Sequence, residues 1–143
     1  MKYFIDTNII IDLLGQDKKL KEKAVKQLKE LALKEDSEFF VNRLVTIESL
    51  RTIHFTHKER FREAKEKLQY FRQVDIRPQI YNDAIFFSRF CHSKGIKLKG
   101  KCEAIDFLHF ITAKYYNLKI ISNDGDMLKL ESAYIKFLEN LNE

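Results

Sequence analysis

The chain has 143 residues, 45% of them apolar, with 26 Lys and Arg against 21 Asp and Glu and a formal net charge of +5. That length suits a single compact domain over residues 1–143, the lack of any long uncharged apolar run argues against a membrane span or signal peptide, and two cysteines read as reduced suggest a cytoplasmic protein. Two cysteines, Cys91 and Cys102, lack the spacing of a zinc site, and the basic balance is a mild bias toward polyanionic partners.

In chain order, residues 2–5 (KYFI) read as a short buried strand that runs into a helix from Thr7 to Leu14. From Lys18 to Lys34, Leu20, Ala24, Leu28, Leu31 and Ala32 recur every three or four residues among Lys and Glu, the pattern of an amphipathic helix. Residues 38–42 (EFFVN) suggest a second strand, followed by a helix over 46–53 with Thr46 as its N-cap. His57–Phe71 sets Phe61, Ala64, Leu68 and Phe71 on one helical face, and 73–76 (QVDI) gives a third strand.

A helix over 80–93, closed by Gly95, leads into the loop 94–101 (KGIKLKGK) and a nearly all-apolar helix from Cys102 to Tyr116. Residues 118–122 (LKIIS) form a fourth strand, 124–130 a turn and short helix, and 133–137 (AYIKF) a fifth strand. Alternating strands and helices predict an α/β class, a three-layer α/β/α arrangement on a five-stranded, mainly parallel sheet.

Four acids interrupt this apolar framework. Asp6 ends the first strand, Glu48 falls in the first turn of the 46–53 helix, Asp106 lies within the apolar helix, and Asp124 follows the fourth strand. Asp6 and Asp124 could serve as N-caps, and Glu48 could favour the positive end of its helix. Asp106 sits within the mostly apolar run AIDFLHFITA, where a lone buried carboxylate is costly unless paired or metal-bound.

In doubly wound sheets ligands sit beyond the carboxyl ends of the strands at the switch point, and strands one and four would meet there. Carboxylates gathered in such a crevice repel one another unless a cation neutralises them, and an all-oxygen set suits Mg²⁺ or Mn²⁺. His54, His57, His92 and His109 are scattered and form no softer site. A metal beside basic surface suits phosphodiester hydrolysis.

The segments FIDTNIIIDLL, VTIESL, AIDFLHFITA and IISNDGDML resemble, in order and spacing, the PIN-domain ribonucleases, and the short chain resembles the VapC toxins of toxin–antitoxin pairs. The resemblance implies a metal-dependent endoribonuclease, commonly a homodimer, that acts on RNA and is inhibited by a VapB-type antitoxin. By position it makes Asp6, Glu48, Asp106 and Asp124 the catalytic, metal-holding quartet, with Asp126 a further acid at the metal. It assigns Asn8 and Ser122 to orienting those carboxylates. Beside the quartet, Arg43, Lys97, Lys99 and Lys101 are candidates for RNA contact, with Glu103 as either a fifth acid or a solvated residue at its helix start, and Asp12 as a solvated or pairing residue.

Two other readings stand beside this one. A haloacid-dehalogenase-like phosphatase would use Asp6 as nucleophile, but such enzymes place a second Asp two residues on, where this chain has Asn8. A non-catalytic module could use the acidic crevice to dock a basic peptide.

Overall fold

A computed structural model describes residues 1–100 and 102–142. The chain divides into two units, Met1–Asp75 with Asn117–Asn123, and Ile76–Tyr116 with Asp124–Glu143.

The first unit contains the sheet. Strand β1 (Lys2–Ile5) is central, paired in parallel with β2 (Glu38–Val41) on one side and β4 (Lys119–Ile121) on the other, and β3 (Arg72–Gln73) extends the sheet in parallel from β2. The order is β3-β2-β1-β4. Tyr3, Phe4 and Ile5 are consecutive and fully buried, as expected where a parallel strand is covered on both faces. Asp6 caps α1 (Thr7–Leu14), whose buried residues Thr7, Ile9, Ile10 and Leu14 have helical spacing.

Helix α2 (Lys18–Ala32) begins at Asp17, whose carboxylate accepts the amides of Lys19 and Leu20. Helix α3 (Arg43–Leu50) begins three residues before the expected 46–53 segment, because Asn42 is its N-cap: the buried Asn42 Oδ1 accepts the Val45 amide at 2.9 Å. Thr46 lies inside the helix, and Glu48 belongs to its later half rather than its first turn. Helix α4 (Lys58–Leu68) completes the unit, and the strand expected at 73–76 is confined to Arg72–Gln73.

The second unit is helical: α5 (Pro78–Ser93), α6 (Glu103–Tyr115) and α7 (Asp126–Leu141). Phe87 of α5 gathers Phe107 and Phe110 of α6 and Tyr134 and Phe137 of α7 at ring-centroid distances of 5.3–5.6 Å. Those contacts correct the fifth strand expected at 133–137. The segment is the middle of α7, and Met127, Leu130 and Ala133 are buried on the same helix at three-residue steps. The class is therefore α/β, and among the described residues the sheet has four strands, all paired in parallel. No helix among the described residues is long and apolar enough to cross a membrane.

Candidate functional site

In the first unit the sheet itself aims the polar residues. Ile5 pairs with Ile121, and the Asp6 amide donates to the Ile121 carbonyl at 3.0 Å, so Asp6 and Ser122 leave adjacent parallel strands at their carboxyl ends. Asp6 is only 5% exposed and both of its carboxylate oxygens are engaged. Oδ1 accepts the Thr7 amide at 2.8 Å and Oδ2 accepts the Ser122 hydroxyl at 2.7 Å. Asn8 Nδ2 in turn donates to Ser122 Oγ at 3.2 Å, while Asn8 Oδ1 is buried without a hydrogen-bond partner among the described residues.

Glu48 joins this group through a residue the sequence reading passed over. The Thr7 hydroxyl donates to Glu48 Oε1 at 2.8 Å, so Thr7 contacts Asp6 with its main chain and Glu48 with its side chain. Its only sequence signal is a β-branched polar residue, buried at a helix start directly after an acid. Arg43 is exposed at the first position of α3. Asp12, farther along α1, has its carboxyl pushed above the ordinary value, chiefly by burial, with Lys23 opposing and Asp17 adding to the rise.

In the second unit Asp106, Asp124 and Asp126 come together. Each offers a carboxylate oxygen lying within 4.8 Å of the others, and Asp106 and Asp124 are half-buried while Asp126 is 1% exposed. Asp106 stands in the first turn of α6, nearer the helix start than its apolar flanks suggest. Asp124 Oδ1 accepts the Asp126 amide at 3.0 Å, which fixes the turn into α7. An all-carboxylate set offers oxygen donors that suit a hard divalent cation and no nitrogen or sulfur for a soft one.

The loop before α6 closes on this group. Asp126 accepts the amides of Lys99 and Gly100 at 2.9–3.0 Å. A Cβ added to Gly100 would stand 2.7 Å from Asp106 Oδ2, so any larger residue here would push against that carboxylate. Gly100 is the second residue missed from sequence, where it reads only as one of four glycines, set between lysines. Lys97 and Lys99 have exposed side chains, and Lys101 lies outside the described residues. Glu103 accepts the Leu98 amide at 3.0 Å and is not one of the clustered acids. His109 is buried, as its apolar surroundings indicate.

Comparison with known proteins adds the family. The model described as "PIN domain" matches residues 3–132. No match was found among curated proteins. Among solved structures, the chain is similar to VapBC2 from Rickettsia felis bound to a DNA fragment from their promoter, at 18% identity and a TM-score of 0.66, with 90% of this chain and 92% of that one covered. It is similar to FitAcB from Neisseria gonorrhoeae at 17% identity and a TM-score of 0.70, with 91% and 92% covered. A toxin–antitoxin complex from Klebsiella pneumoniae matches at 19% identity and a TM-score of 0.58, with 85% and 86% covered.

Proposed function

Because this chain belongs to the PIN-domain family, whose members are generally nucleases, we propose that it is a metal-dependent endoribonuclease and the toxin of a VapBC-type toxin–antitoxin pair. The observation that carries the reading is the meeting of Asp106 and Asp124, with Asp126 beside them, at the starts of two helices in a chain with this family's motif order. Asp6, Glu48, Asp106 and Asp124 are the proposed catalytic acids and metal ligands. Mg²⁺ or Mn²⁺ held by them would activate water and neutralise charge on the scissile phosphate.

The chain's own residues supply orientation. Ser122 and the Thr7 amide fix the two oxygens of Asp6, Asn8 braces Ser122, and Thr7 holds Glu48, so these carboxylates lose little freedom when they take up a cation. Arg43, Lys97 and Lys99 are the proposed phosphate contacts, and Lys101 joins them from the sequence. The toxin assignment draws on the neighbouring folds, which include toxin–antitoxin complexes; it carries with it a VapB-type antitoxin, a homodimer and a cytoplasmic setting.

The test is incubation of total RNA with the purified protein in Mn²⁺, in Mg²⁺ and in EDTA. Discrete fragments in either metal and none in EDTA are the expected result. Undiminished cutting in EDTA, or intact RNA in both metals, would overturn the reading.

A further inference from the structure

The family resemblance makes Asp126 a metal-site acid, yet its hydrogen bonds describe another role. Its Oδ2 accepts two main-chain amides, from Lys99 and Gly100, both at 2.9 Å. That uses both lone pairs of the oxygen. Oδ1 shares the Lys99 amide at 3.0 Å and lies 3.9 Å from the Lys129 ammonium, a charge that opposes the approach of a divalent cation.

The same loop is pinned at every residue from 97 to 100. Lys129 Nζ donates to the Lys97 carbonyl at 3.4 Å, Glu103 accepts the Leu98 amide at 3.0 Å, and Asp126 takes the next two amides. No helix or strand holds this stretch; side chains from the starts of α6 and α7 do. Leu98 turns inward and is buried, which leaves Lys97 and Lys99 exposed on either side of it. Gly100 passes against Asp106, so these two cations are tethered beside the acidic group.

We propose that Asp126 is a positioning residue and not a metal ligand: it clamps the Lys97–Gly100 loop so that Lys97 and Lys99 hold the phosphates of a single-stranded RNA next to Asp106 and Asp124. This rests on the ribonuclease reading for the substrate, whereas the role of Asp126 itself can be measured without RNA.

The experiment compares wild type, Asp126→Asn and Asp106→Asn. By calorimetry, Asp126→Asn should bind Mn²⁺ within about threefold of wild type while Asp106→Asn weakens it at least about tenfold. In metal-free protein, exchange of the Lys99 and Gly100 amides should quicken about tenfold or more in Asp126→Asn. With RNA, Asp126→Asn should raise KM about tenfold with a smaller change in kcat. Its slope of log affinity against log salt should shrink by about 1.4, or 0.7 for each of two phosphates.

Loss of Mn²⁺ affinity in Asp126→Asn equal to that in Asp106→Asn would make Asp126 a ligand and overturn the proposal. So would a freed loop with an unchanged KM. Should Asp126→Asn fail to fold, Lys97→Ala/Lys99→Ala decides: a raised KM with a shallower salt slope supports the loop's role, and an unchanged pair of values contradicts it. A wild type that cuts no RNA would defeat the ribonuclease reading, while the Mn²⁺ and amide-exchange results would still decide what Asp126 does.

Discussion

The two acidic groups of this chain are held by different means. Asp6 and Glu48 in the first unit are fixed by regular structure: the register of β1 with β4 delivers Ser122 to Asp6, and the start of α1 delivers Thr7 to Glu48. Asp106, Asp124 and Asp126 in the second unit are organised around a loop that has no secondary structure and depends on side-chain-to-amide bonds. Sheet-borne carboxylates resist displacement because moving them breaks a ladder, whereas a loop-bordered group can be disturbed at one residue.

Substitutions can break or sharpen that contrast. The largest effect is expected for Asp106→Asn, which keeps the shape and removes a charge. RNA cleavage should fall about 10²–10³-fold, with the thermal midpoint little changed. Near-normal activity in a stopped assay would remove the second unit's acids from the chemistry.

Gly100→Ala tests the loop's close passage. The added methyl must displace either the loop or the Asp106 carboxylate, since it would stand 2.7 Å from Oδ2. Cleavage and Mn²⁺ affinity should each drop about tenfold, and the same substitution at Gly125, whose Cβ position is open, should do neither.

Ser122→Ala asks the corresponding question of the first unit. It removes the hydroxyl that donates to Asp6 Oδ2, and a fall of about tenfold in kcat is expected, with Ser122→Thr restoring most of it. Stability should decline by only about 1 kcal/mol, because the strand register stays in place. A larger loss of stability than of activity would show that Ser122 is part of the scaffold and does not orient Asp6.

The smallest effect concerns the two thiols. Burial pushes the Cys91 thiol up to about 11, whereas Cys102 is exposed. A thiol reagent at pH 8 should label Cys102 in the native protein and Cys91 only on unfolding. The folded-state value lies above the ordinary 9.0, so the stability Cys91 contributes is complete below pH 9 and is lost as the pH rises through 11. Cys91→Ala should flatten that part of a denaturation-versus-pH curve.

The same contrast explains what could be read from the residues. Tyr3, Phe4 and Ile5 followed by Asp6 form a buried strand ending in an acid, and local periodicity suffices to see it. The segment 133–137 misleads because Ala133, Ile135 and Phe137 alternate as in a strand. In the structure Ile135 is 60% exposed while Ala133 is buried, and the longer series Met127, Leu130, Ala133 and Phe137 carries the helical period. Both Asn42 and Thr46 are good caps, and Asn42 begins α3 because it is the one that follows β2 and reaches the Val45 amide.

The carboxylates themselves were legible as interruptions of apolar context. Their partners were not. The bonds from Asp126 to Lys99 and Gly100 join positions 26 and 27 residues apart and involve only main-chain donors, which have no sequence signature. Thr7 was overlooked for a related reason, since its partner Glu48 is 41 residues away.

Single-turnover cleavage of a labelled single-stranded RNA in Mn²⁺, by wild type and Asp6→Asn side by side, tests the central claim most directly. Cleavage by wild type with a loss of at least about hundredfold in the variant is the result expected if Asp6 helps hold the catalytic metal. Equal rates from the two folded proteins would contradict it.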